Sequence, residues 1–252
     1  VREGTAIAAL VVGPIVHFIT PYYRFIDSWI GASGNSTATQ AAPVHGARHC
    51  VITIAREFGS GGHLLGEMLA KELGIRLYDK EFIHMAAQRS GIDEDYIARN
   101  EQSIPSFWLK CIMGAGSETS RERSLSPDDV LFVAESKIVR ELAEKGPCVI
   151  VGRLADFVLR DSPSAIKVFC YSDRQHAITR CVEQYGIPQD KAAAEIAHVN
   201  RNRVSHYEYY TGTKWGDPHH YDILVNTGSM GLTPACQFIK ELYLAATGSK
   251  GV

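Results

Sequence analysis

Between residues 56 and 63 the chain reads Arg-Glu-Phe-Gly-Ser-Gly-Gly-His, and this stretch holds the densest set of groups able to bind an anion. Gly59, Gly61 and Gly62 free the backbone to approach a ligand closely, Ser60 adds a hydroxyl, and Arg56 and His63 flank the turn. Backbone N–H groups gathered at the start of a helix are an anion site, most often for phosphate. Two other features belong to the same chemistry. Arg153 follows the apolar run Cys148-Val149-Ile150-Val151 and Gly152, and Arg201 and Arg203 stand two residues apart in a charged stretch. A guanidinium offers a carboxylate or phosphate two parallel hydrogen bonds. For Arg153 a structural pair with Asp156 or Asp161 is the competing reading; for Arg201 and Arg203 it is a solvated helix face.

The elements around the turn place these groups. Val51-Ile52-Thr53-Ile54 is a β-branched apolar run, short enough to be a buried strand. After the turn, Leu64, Leu65, Met68, Leu69 and Leu73 recur at helical spacing and Gly74 supplies a stop. Leu77-Tyr78-Asp79 opens the next extended piece. Strand, glycine loop, helix and strand form a βαβ unit. Neither familiar nucleotide fingerprint is met in full. In the spacing G-x-x-x-x-G-K-[ST], Gly61 is the second glycine, Arg56 stands at the first, Gly62 replaces the lysine and His63 the hydroxyl residue. G-x-G-x-x-G fails at Leu64, although Asp79 lies at a distance suited to a ribose ligand.

Further along, the sequence predicts a helix from Lys80 to Arg89, a break at Gly91, and a helix opened by Ser126-Pro127 and running to Glu144. Strands at Cys148–Val151 and Ile166–Tyr171, a helix capped by Ser172-Asp173, a helix over Lys191–Tyr207, a strand near Asp222–Thr227 and a helix over Pro234–Leu244 follow. Alternating strands and helices indicate a parallel sheet, whose ligands gather at the carboxyl ends of its strands. Tyr207, Tyr209, Tyr210 and Trp215 read either as core or as surfaces on which a base stacks.

The stretch VITIAREFGSGGHLLGEMLAKELGIRLYDKE resembles the opening of the cytidylate kinase-like family, a branch of the P-loop nucleoside monophosphate kinases. The resemblance runs to about Leu244 through Val149-Ile150-Val151-Gly152-Arg153, Arg201-Asn202-Arg203, Tyr209-Tyr210-Thr211-Gly212, Trp215-Gly216-Asp217-Pro218 and Tyr221-Asp222-Ile223. Ordinary cytidylate kinases carry the loop lysine, whereas this branch has REFGSGG. The resemblance implies an α/β, P-loop NTPase-like three-layer sandwich around a parallel sheet. It implies phosphoryl transfer from ATP, with Mg²⁺, to a nucleoside monophosphate, CMP or dCMP by the family's name. The phosphate-binding set would be Arg56, Gly59, Ser60, Gly61, Gly62 and His63. Arg153, Arg201 and Arg203 would be catalytic, the last two as lid arginines, and Asp79 would lie near the acceptor or the metal's water shell. His63, where a metal-binding hydroxyl normally stands, leaves the metal ligands unassigned. Residues 100–126 fall where such kinases carry a monophosphate-binding insertion. The competing reading is a nucleotide-binding regulatory module with little or no turnover.

The 252 residues, 45% of them hydrophobic, suffice for one sizeable core. A net charge of −2 gives no basic stripe for nucleic acid. The six cysteines show no CxxC pairing and read as reduced thiols of a cytoplasmic domain. Residues 4–23 are uncharged and strongly apolar, about the length of a bilayer span. Residues 1–30 are therefore expected to be a membrane helix with an interfacial continuation, 31–48 a flexible linker, and 49–252 the kinase-like domain. The run GTAIAALVVGPIVHF resembles the last helix of YczE/YitT-like bacterial membrane proteins, and implies tethering to the inner membrane. A lone anchor and a helix of a soluble protein are the alternatives. The acceptor base and the oligomeric state are not legible.

Overall fold

Alternation of apolar strands with amphipathic helices dictates a sheet whose neighbours are joined by crossovers, and that is what forms. The computed structural model describes residues 50–91 and 126–248. Five strands, β1 (Val51–Arg56), β2 (Arg76–Tyr78), β3 (Cys148–Val151), β4 (Ala165–Tyr171) and β5 (Ile223–Asn226), pair in the order β2-β3-β1-β4-β5, all parallel. The central strand β1 has partners on both sides, Ile54 lying opposite Val151 and Val168. The carboxyl ends of β1, β3 and β4 therefore open together.

Helices α1 (Gly62–Leu73) and α7 (Leu232–Thr247) cover one face. Its core is Ile52, Ile54, Leu65, Leu69, Val149, Val151, Val168, Val225 and Ile239. The period-two alternation of β1 sends Ile52 and Ile54 there and Thr53 and Ala55 to the opposite face. That second side is packed by α2 (Lys80–Arg89), α3 (Pro127–Lys145) and the short α4 (Ala155–Val158). Two further helices, α5 (Arg174–Glu183) and α6 (Gln189–Thr211), and a 3-10 turn at Pro218–His220 complete the described elements.

Local chemistry accounts for the helix ends. Asp79 caps α2 by accepting from the Phe82 N–H at 2.8 Å. Ser126 and Asp129 form a reciprocal capping box at α3, with Pro127 in the first turn. Asp173 caps α5. The expected helix over 191–207 is longer at both ends, from Gln189 to Thr211, because Pro188 opens it and the left-handed Gly212 closes it. The expected membrane helix, the linker and the insertion at 100–125 lie outside the described residues. Among the described residues no helix is long and apolar enough to cross a membrane.

Candidate functional site

The loop between β1 and α1 is held from outside by side chains that take its carbonyls. Arg203 Nη1 donates to the Arg56 carbonyl at 2.7 Å, and Arg180 Nη1 to that of Gly59 at 2.6 Å. The Ser60 hydroxyl donates to the Glu57 carbonyl at 2.8 Å, and the Thr227 hydroxyl donates to that of Ser60. Asn200 Oδ1 accepts from the Phe58 N–H at 2.8 Å. With the carbonyls turned to protein donors, the opposite polarity faces the site. The N–H groups of Gly62, His63 and Leu64 begin α1 and have no intrahelical acceptor. The N-cap Gly61 (φ +73°) offers no side chain to satisfy them. Residues 59–62 are all buried. A buried, uncapped helix start invites an anion.

A cleft of about 440 Å³ opens beside this loop. Four cations line it: Arg56 from the end of β1, Lys80 from the start of α2, Arg153 from the turn after β3, and Arg203 from α6. Burial lowers the pKa of Arg56, and lowers that of Arg203 to about 10, the nearby Arg56 charge adding to the effect. At about 10, Arg203 still carries its charge at neutral pH. Arg203 also lies over the Phe58 ring, 5.8 Å from its centroid.

Arg153 is positioned by strained backbone and by a partner that the sequence does not announce. Gly152, Arg153 and Leu154 all have positive φ, at 81°, 53° and 51°. Such conformations in non-glycine residues persist only where surroundings enforce them. The Arg153 guanidinium pairs with Glu135 of α3 at 3.1 Å, not with Asp156 or Asp161. Glu135 is 3% exposed, its pKa pushed up by burial against the opposing pull of Arg153, and it also meets His84 at 3.2 Å.

The other expected residues divide. Asp79 sits at the end of β2 as the α2 cap, its charge felt by Arg56. Arg201 is exposed and does not line the cleft; two residues along a helix, it faces away from Arg203. His63 is also exposed, its imidazole 3.4 Å from Glu67 on the same helix. Tyr207 and Tyr210 are buried, Tyr210 stacking on Phe132 at 4.0 Å, while Tyr209 is exposed. Trp215 lines the cleft, edge-on to Phe169. Sequence reasoning gave no role to Lys80, Glu135 or Arg180. Lys80 had a local signal, following Asp79 directly after a strand; Glu135 and Arg180 had none, since helical charges read as solvated.

Asp156 also lines the cleft. It is 4% exposed, its carboxyl pushed up by burial, and it faces Tyr207 and Tyr221. Among the described residues no group of three or more His, Cys, Asp or Glu is arranged around a cation position. The phosphates of a nucleotide fit the uncapped helix start and its four cations. Magnesium carried by those phosphates needs only one or two protein carboxylates; Asp79 and Glu81, whose charges Arg56 feels, stand outside the cleft's lining.

Comparison with known proteins agrees with this geometry. The profile of the cytidylate kinase-like family matches residues 51–229. Comparison with curated proteins finds no match. An uncharacterized protein from Eubacterium ventriosum ATCC 27560 has a similar solved structure: 26% identity, TM-score 0.56, covering 77% of this chain and 98% of that one. A shikimate kinase from Acinetobacter baumannii, in complex with shikimate, is 14% identical at a TM-score of 0.39, covering 78% of this chain and 94% of its own. One from Aquifex aeolicus is 17% identical at 0.39, covering 80% and 99%. Likeness at that distance carries no argument about substrate.

Proposed function

The chain belongs to the cytidylate kinase-like family, and from that premise we propose that it transfers the terminal phosphoryl group of ATP to a nucleoside monophosphate, CMP or dCMP. The observation that carries the proposal is the convergence of Arg56, Lys80, Arg153 and Arg203 on one cleft beside an uncapped helix start. Phosphoryl transfer passes through a loose transition state with charge spread over the moving group's oxygens, so positioning and positive charge are most of what a protein supplies.

In this reading the Gly59–His63 backbone cradles the donor phosphates. Arg153, anchored by Glu135, sits at the end of β3, where it would meet the acceptor phosphate. Arg203 would stabilise charge on the group in flight, as would Arg201 if α6 turns on closing. Asp79 would hold the acceptor or the water shell of magnesium, which supplies charge neutralisation on the donor phosphates. The apolar segment at 4–23 would tether the domain to a bacterial inner membrane, leaving the cleft on the cytoplasmic side.

One observation favours a second reading, a regulatory module that binds nucleotide without turnover: Gly62 stands where the loop lysine is expected. A coupled ADP-release assay of the full chain against a panel of monophosphates separates the two. Turnover that is fastest with CMP or dCMP supports the kinase. ATP binding by calorimetry without turnover on any acceptor moves the protein to the regulatory reading.

A further inference from the structure

The loop departs from the usual phosphate-binding pattern at Arg56, Gly62 and His63, and the structure shows that the first two depend on each other. A Cβ placed on Gly62 would lie 2.6 Å from Arg56 Cβ, 3.1 Å from its Cγ and 3.2 Å from Cys170 Cβ. The first of these distances is not tolerated, and its atoms belong to the last residue of the central strand, where Arg56 lies opposite Cys170 and cannot withdraw. Gly62 begins a regular helix without a positive φ, so glycine is required there for room and not for conformation. Further out, the Arg56 guanidinium lies against Gly152, where a Cβ would overlap Nη1. Two glycines thus form a slot across the ends of β1 and β3, and the arginine side chain runs through it.

The slot opens on the cation-lined cleft. Arg153 is paired with Glu135, and Arg203 spends a donor on the loop. Arg56 has no hydrogen bond or ion pair to a side chain among the described residues. A half-buried guanidinium that feels Glu81 and Asp79 but bonds to neither, beside an uncapped helix start, is poised for an external anion.

We propose that Arg56 and Gly62 are a reciprocal exchange: the cation of the phosphate loop has moved from the helix start to the last residue of the preceding strand, and Arg56 is the catalytic residue that contacts the donor phosphates. The proposal rests on the phosphoryl-transfer reading and removes the ground for taking the missing lysine as lost activity. A planar fork in place of an ammonium also changes the recognition, from a point charge to two parallel hydrogen bonds on one phosphate.

The test is a cycle of full-length proteins: parent, Arg56→Gly, Gly62→Lys and the double variant Arg56→Gly/Gly62→Lys, with Arg56→Met as a variant that keeps the stem. Melting temperature reads the steric half and calorimetric ATP affinity reads the charge half. Gly62→Lys alone is expected to lower the melting temperature by about 3–10 °C, and to cost little once Arg56 is glycine. Arg56→Met is expected to melt like the parent and bind ATP about 10- to 100-fold more weakly. The double variant should recover most of the affinity that Arg56→Gly loses. Parental melting of Gly62→Lys overturns the exchange, as does parental ATP affinity in Arg56→Met, or a double variant no better than Arg56→Gly. In each of these cases ATP turnover by the parent leaves the kinase reading standing. A parent that binds no ATP overturns both.

Discussion

The two faces of the sheet share five strands and differ in what they bury. Under α1 and α7 the buried groups are aliphatic, with Cys50, Cys170 and Cys236 serving as small hydrophobes. Burial pushes the Cys170 thiol up to about 12, so it stays protonated and inert. On the opposite side Glu135 and Asp156 are buried carboxylates, and among the described residues Thr53 Oγ1 and Ser136 Oγ have no hydrogen-bond partner. Buried charge costs several kcal/mol per ion unless well paired, so this side is held in place by stability generated on the other. The molecule separates the face that holds it together from the side that faces the cleft.

The sharpest test of that division removes cations. Arg203→Ala should lower turnover by about 10³-fold, the scale of an arginine acting on the transferring group. Arg201→Ala should do much less, because Arg201 is exposed outside the cleft. Equal losses in an ADP-release assay would mean that α6 rotates on closing. Parental rates in both variants would remove α6 from the chemistry.

The converse substitution lies on the apolar face. Leu69 is fully buried between α1 and the strands. Leu69→Ala should cost about 2–5 kcal/mol in urea unfolding, by lost transfer energy and the cavity left behind. ATP affinity of the folded fraction should stay within about twofold, since the loop is braced by Arg180, Arg203 and Thr227 and not by Leu69. A parallel loss of affinity would break the separation.

A smaller effect links the two sides. Burial brings the Arg203 pKa to about 10 from its ordinary 12.5. Between those values the unfolded chain holds a proton that the folded one has released, so stability rises with pH there. At neutral pH both states are charged, and the full cost of burying the guanidinium is present. Arg203→Met should therefore raise the melting temperature of the ligand-free protein, by about 2–4 °C for each kcal/mol relieved, while weakening nucleotide binding. A lower melting temperature would mean that the bond to the Arg56 carbonyl outweighs the burial.

The same division explains what could be read from residues alone. Strands and helices of the apolar face announce themselves by period: Ile52 and Ile54 alternate, and Leu65 and Leu69 recur four apart. Caps at Ser126 and Asp173 were equally legible because their chemistry is local, whereas Asp79, read from the sequence as a ligand residue within an extended piece, caps α2. Arg153 was found through its place after a strand, but its partner Glu135 lies 18 positions earlier, and no local rule joins them. The passage of Arg56 past Gly62 was invisible for another reason. A glycine chosen for space and one chosen for backbone freedom look alike in a sequence, and only the neighbouring Cβ distinguishes them.

The smallest expected effect concerns His63, which occupies the position of a metal-binding hydroxyl in the usual loop pattern. Its side chain is 47% exposed and turns along α1 to Glu67 at 3.4 Å. An exposed pair of this kind contributes about 0.3–0.5 kcal/mol, so His63→Ala should barely move the melting temperature. If the loop acts through its backbone and through Arg56, the N–H of residue 63 is what matters, and alanine keeps it. Turnover and its magnesium dependence should then stay within about twofold of the parent, whereas proline at the same position would delete the N–H and should weaken nucleotide binding. A His63→Ala enzyme that demands much more magnesium would instead assign the imidazole to the metal, and the loop would have kept a side-chain ligand where the backbone alone is expected to act.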